Sequence, residues 1–134
     1  MTLVNGWLTK AKLVPSPNFN CRPENSTMSL LVIHNISLPP GQFDTPYIEQ
    51  FFQNCLPYED HPYFKTIEGV AVSSHFLIKR DGELIQFVSC LDRAWHAGVS
   101  SFCGVANCND YSIGIELEGT DFIPYTEAQY SALV

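Results

Sequence analysis

His34 and Glu116 are the residues whose types and settings bear most on chemistry. His34 closes the apolar run Leu30-Leu31-Val32-Ile33, and Glu116 lies inside the alternating stretch SIGIELEG. An imidazole is a good nitrogen ligand for zinc, and a catalytic zinc is usually held by three protein ligands with one position open. At the carboxyl end of a buried strand a His can turn its ring into a cleft. The competing reading of His34 is a hydrogen-bonded histidine that only caps its strand. Glu116 shares a strand face with Gly114, whose missing side chain leaves room for a substrate or a metal-bound water. A carboxylate partly removed from water there has a raised pKa, which suits a general base. The competing reading is a solvated face on which Glu116 and Glu118 are surface charges.

The pair Trp95-His96, in a glycine-bearing loop, offers an aromatic platform beside a polar ring, an arrangement suited to stacking on a sugar. A Trp that covers the neighbouring hairpin core accounts for it equally well. His75 reads as a satisfied structural histidine, His61 as a loop residue, and Asp92-Arg93 as a local ion pair. There is no HExxH, no HxH and no His–Cys cluster at ligand spacing. A site made from His34, His75 and His96 is conceivable, but the spacing does not require it. No GxSxG is present, and no Cys has an activated setting.

These residues must be placed by the elements around them. The run Leu30–Ile33 reads as a strand buried on both faces, and residues 35–41, with two prolines, as a loop. Thr45-Pro46 reads as a helix start, with Tyr47, Phe51 and Cys55 as its apolar stripe. Residues 57–66 read as loop or broken helix. Asp81-Gly82 predicts a two-residue type I′ hairpin that pairs Arg80 with Glu83, Ile78 with Ile85 and Phe76 with Phe87. Residues 94–110 read as loop, and Ser112–Glu118 as a strand. Thr126 and Gln129 form a capping box, with Tyr125 and Tyr130 as a hydrophobic staple, so a helix starts near Glu127. Only eight residues remain from its start, Glu127 to Val134, with no C-cap signal, so the chain is expected to stop inside a helix.

The length of 134 residues fits one domain, residues 1–134, with a core of its own. Hydrophobic residues make up 46%, which excludes a disordered chain. The net charge of −7 argues against nucleic acid or an anionic membrane as the main partner. No apolar run is long enough to span a bilayer, and the N-terminus does not read as a signal peptide. Five cysteines at irregular spacing, with no CxxC pair, read as reduced thiols of a cytosolic protein.

Taken in order, GWL, VPSPNFNCRP, LLVIHNISLPPGQF, SSHFLIKRDGELIQFV, RAWHAGVS and CNDYSIGIELEGTD resemble the AmpD-type 1,6-anhydro-N-acetylmuramyl-L-alanine amidases. These belong to the zinc amidases that include the peptidoglycan recognition proteins. The resemblance implies an α/β fold, a mixed central β-sheet flanked by helices, in a single-domain zinc amidase. It implies one zinc in a surface groove and hydrolysis of the amide between anhydro-N-acetylmuramic acid and L-alanine. That reaction belongs to cell-wall recycling in the cytoplasm of Gram-negative bacteria, and a monomer is expected.

His34 is similar to the family's first zinc ligand, and Glu116 to its acid/base residue. Asn35 and the pair Ala94-Trp95 match groove positions near sugar and peptide. Asn107 is a further substrate-binding candidate, although it and Ala71 lack the basic groups that some relatives place there. The family's second His ligand, and the Lys and ligand Asp of a KxDPG-like motif, are absent here. They are expected beyond Val134, so the chain as given is expected to hold zinc weakly and turn over little. The alternative is a non-catalytic module that binds muropeptide or peptidoglycan.

Overall fold

The computed structural model describes residues 2–134. Eleven strands and two helices are present among them. The strands are β1 (Leu3–Val4), β2 (Trp7–Leu8), β3 (Lys12–Leu13), β4 (Phe19–Cys21), β5 (Leu30–Ile36), β6 (Phe76–Ile78), β7 (Leu84–Gln86), β8 (Asp92–Ala94), β9 (Ser101–Phe102), β10 (Val105–Ala106) and β11 (Ser112–Glu118). The helices are α1 (Tyr47–Phe52) and α2 (Glu127–Leu133). A five-stranded mixed sheet in the order β3-β7-β6-β11-β5 forms the centre. In it β11 runs parallel to both β5 and β6, and β6 and β7 form an antiparallel pair. This is the α/β architecture expected from the sequence.

One sheet face carries the main core. Leu77 and Ile85 from the sheet, with Phe87, pack against Ile48, Phe51 and Phe52 of α1 and against Leu56 and Phe64 that follow it. Burying each such side chain contributes about 1.5–3 kcal/mol. The helix therefore buries Ile48, Phe51 and Phe52, whereas Cys55 of the expected stripe is exposed. It begins one residue later than the sequence suggests, with Pro46 as N-cap. Residues 58–60 and 62–67 form two short 3-10 turns, in keeping with a broken helix.

Two expectations are corrected by the sheet. The run Leu30–Ile33 is not buried on both faces. β5 is the edge strand and continues to Ile36, and Leu31 and Ile33 are 53% and 45% exposed. His34 therefore lies within its strand rather than at the end. The hairpin is also shifted by one residue: Leu77 pairs with Ile85, and Ile78 with Leu84. The reason is local. The Asp81 carboxylate accepts the Glu83 N–H at 2.9 Å, and only Gly82 takes a positive φ, of 90°. A type I′ turn needs positive φ at both central residues, so a three-residue loop, Arg80 to Gly82, forms instead. Arg80 is then free of Glu83. Its backbone N–H and guanidinium bond to Glu118, and the guanidinium lies 4.7 Å from the Phe43 ring centroid.

The capping box and staple at α2 form as the sequence predicts. Thr126 Oγ1 accepts the Gln129 N–H at 3.1 Å, and Gln129 Oε1 accepts the Thr126 N–H at 3.0 Å. The Tyr125 and Tyr130 rings meet edge to face at 6.1 Å. Gln129 does more than cap. Fully buried, it donates from Nε2 to the carbonyls of Ile78 and Glu118, which fastens α2 across two strands. Gln129→Ala is expected to cost about 2–4 kcal/mol, from the lost cap and the unpaired buried carbonyls. The readout is a lower urea midpoint at unchanged slope. An unchanged midpoint would show that this side chain does not fasten the helix.

Candidate active site

The parallel pairing of β5 with β11 sets Glu116 directly opposite His34. Opposed residues in parallel strands project to the same face, so imidazole and carboxylate stand side by side on the face that carries the main core. The reading of a solvated Glu116 does not survive: it is 8% exposed, and its Oε2 is buried without a hydrogen-bond partner. Loss of water is the cause that pushes its pKa up to about 8. Glu118, two residues on, is buried for another reason. Its oxygens accept the backbone N–H groups of Asp44 and Arg80, so it holds loops rather than facing a site.

Beside this pair lies His96, and its place corrects the reading of Gly114. The space over Gly114 is not open to a ligand: a Cβ there would fall on the His96 ring. His96 Nδ1 is 3.1 Å from His34 Nε2, and its Nε2 is 3.0 Å from Ser112 Oγ. The backbone around it is fixed by the buried Asn109, whose Oδ1 accepts the N–H groups of His96 and Ala97. Arg22 fastens the same region, donating to the carbonyls of Asn109, Asp110, Cys90 and Ser112. Ser112, Asn109 and Arg22 escaped the sequence reading because each acts on residues not adjacent in sequence, 12 to 16 positions away for Asn109 and Ser112 and 68 to 90 for Arg22. The small side chains on the β11 face were the one signal that a bulky group packs there.

The three histidines do come near one another, with ring centroids 5.3 Å apart for His34–His96 and 6.0 Å for His75–His96. They do not form a ligand trio. His75 Nδ1 accepts the Gly114 N–H at 3.0 Å, so Nε2 carries the proton, 2.9 Å from the Asp92 carbonyl. His75 is thus the structural histidine that the sequence predicts. Burial lowers the pKa of His75 to about 4 and that of His96 to about 3. Between the ordinary value of 6.5 and these values, the unfolded chain binds protons that the folded protein refuses. The contribution of these two rings to stability is therefore complete above about pH 6.5 and falls as pH drops toward 4. At pH 5 the loss should be about 2 kcal/mol for each ring. Urea titrations of His75→Gln at pH 5 and 7 test this. The wild type should lose more stability than the variant over that interval, and equal losses would contradict it.

Two depressions adjoin at Ala97. One, of about 420 Å³, is lined by the β5 residues through His34 and by Ser100 to Phe102. The other, of about 290 Å³, is lined by Val72, Trp95, His96 and Gly98. Trp95 therefore faces the smaller depression instead of sealing the hairpin, and its indole N–H donates to Asn20 at 3.0 Å. The other substrate candidates are not gathered here. Ala94 is fully buried in the core, so its side chain cannot meet a ligand. Asn107 is exposed and takes a left-handed φ of 58° to open the turn at 108–110, outside both depressions. Asn35 lies on the opposite sheet face from His34, where its amide donates to Asp121 at 2.7 Å. Arg93 pairs with Asp110 at 2.7 Å rather than with Asp92.

His34 and Glu116 fit one ligand and one proton acceptor of a hydrated zinc centre. His34 Nε2 is engaged by His96, which leaves Nδ1 as its available lone pair, and Glu116, its neighbour across the strand pair, keeps one oxygen unpartnered. Among the described residues no group of three or more His, Cys, Asp or Glu side chains is placed to hold a metal ion. No helix among them is long and apolar enough to cross a membrane.

The family model of N-acetylmuramoyl-L-alanine amidases matches residues 24–134. The chain is 56% identical over 133 residues to the 1,6-anhydro-N-acetylmuramyl-L-alanine amidase AmpD of Citrobacter freundii, covering 99% of this chain and 71% of that one. A crystal structure of a selenomethionine AmpD derivative superposes with a TM-score of 0.97 at 56% identity, over 99% of this chain and 74% of that one. The E. coli amidase AmiD, solved with anhydro-N-acetylmuramic acid-L-Ala-D-gamma-Glu-L-Lys, aligns at 26% identity and a TM-score of 0.50, covering 84% of this chain and 43% of its own. The chain belongs to the N-acetylmuramoyl-L-alanine amidase family.

Proposed function

We propose that this protein is a zinc-dependent amidase of cell-wall recycling that cleaves the amide between anhydro-N-acetylmuramic acid and L-alanine of muropeptides. The observation that carries the reading is the pairing of Glu116 with His34. A desolvated carboxylate with an unpartnered oxygen stands beside an imidazole with one nitrogen to spare. Zinc, when bound, lowers the pKa of its water and polarises the amide carbonyl. His34 is the residue of this chain that would hold it. Glu116, as the carboxylate, takes a proton from the attacking water, and burial, which favours the protonated form, helps it hold that proton until it passes to the leaving alanine nitrogen. Trp95 offers its face to the sugar or peptide in the depression beside His96.

The similarity to enzymes named as amidases argues against the binding-module alternative. Cytoplasmic placement accords with five free thiols. The test is the identity of the bond cut. The product of the complete reading frame, incubated with anhydro-muropeptide, should release the peptide with a free L-alanine amino group, read by mass spectrometry. Cleavage within the peptide, or at the lactyl ether, would overturn the assignment.

A further inference from the structure

We propose that His96 is a positioning residue that holds His34 in the tautomer leaving Nδ1 bare toward the groove. The inference rests on the reading of His34 as a metal ligand, and it assigns a part to a residue outside that ligand set. The two imidazoles meet through one contact, His34 Nε2 to His96 Nδ1 at 3.1 Å. Only one proton can occupy it. If His96 Nδ1 carried that proton, His34 would have to carry its own on Nδ1, and it would have no lone pair for a cation. If His34 Nε2 carries it, Nδ1 is bare, and His96 holds its own proton on Nε2, 3.0 Å from Ser112 Oγ. A ligand histidine whose far N–H is fixed by a partner has both ring orientation and tautomer set.

The fold makes His96 a fixed partner. Its ring occupies the space that the absent Gly114 side chain leaves, and its backbone is fastened by buried Asn109.

The experiment uses nitrogen-15 spectra of the metal-free protein at pH 7.5, which distinguish protonated from bare ring nitrogens, together with zinc titration. In the wild type, His34 should show Nε2 protonated and Nδ1 bare. His96→Leu should give a mixture of tautomers and weaken zinc binding about 10- to 100-fold. His96→Asn, whose Oδ1 can accept in place of Nδ1, should restore both. Ser112→Ala, a smaller change in case the leucine variant fails to fold, should shift the His34 signals in the same direction. A wild-type His34 protonated on Nδ1, or His34 signals unchanged in His96→Leu and Ser112→Ala, would overturn the proposal. Zinc binding unaltered by His34→Ala would instead overturn the ligand reading, and the tautomer spectra separate the two failures.

Discussion

Glu116→Gln should abolish amide hydrolysis and at the same time stabilise the metal-free protein in mild alkali. Both effects have one cause. The carboxylate is buried beside His34 without a partner for Oε2, and its pKa is raised from 4.5 to about 8. Between those two values the unfolded chain has released a proton that the folded protein still holds. Stability therefore falls as pH rises through the window, by a few kcal/mol in all. Glutamine carries no charge at any pH and escapes this loss. The variant and the wild type should match near pH 4.5, and the variant should gain steadily up to pH 8, as read from urea midpoints at several pH values. Its turnover should fall about 10²- to 10⁴-fold, the usual worth of a positioned acid/base group. A variant no more stable than the wild type at pH 8 would show that Glu116 is solvated after all. Preserved turnover would remove it from the chemistry.

The second large effect is expected at the neighbouring strand. His34→Ala should lower zinc affinity by roughly 100-fold or more, because changing even a ligand's supporting partner costs 10- to 100-fold. Folding should suffer little. The His34 ring is only partly buried, and its one hydrogen bond among the described residues is to His96, so a loss of about 1–2 kcal/mol is expected. Calorimetric zinc titration separates the two quantities when a denaturant melt accompanies it. Full zinc affinity in His34→Ala would place the metal elsewhere. A collapse in stability with zinc affinity intact would make His34 a structural residue.

The sequence told most where structure is decided locally. Ser112–Glu118 is a strand because alternation over seven residues requires it, and α2 starts at Glu127 because Thr126 and Gln129 bond each other across one turn. The hairpin register was less legible, because Asp81 closes a three-residue loop with its own carboxylate. Among the site residues, His34 and Glu116 stood out by type, but their adjacency comes from pairing between strands about eighty residues apart. His96 was visible as a polar ring beside a Trp. Its contact with His34 required the chain to bring Gly114 beneath it. The side chains of Ala94 and Asn35 lie away from the two depressions for geometric reasons. One sits in the core, and the other, one residue from the end of a strand longer than expected, alternates to the far face.

The most direct test of the central claim is a chelator experiment on the product of the complete reading frame, with anhydro-muropeptide as substrate. The account predicts release of the L-alanyl peptide, its loss on chelation, and its return when about one equivalent of zinc is added back. Hydrolysis that persists in chelator would contradict a zinc site at His34, and zinc-independent binding without cleavage would contradict an amidase altogether.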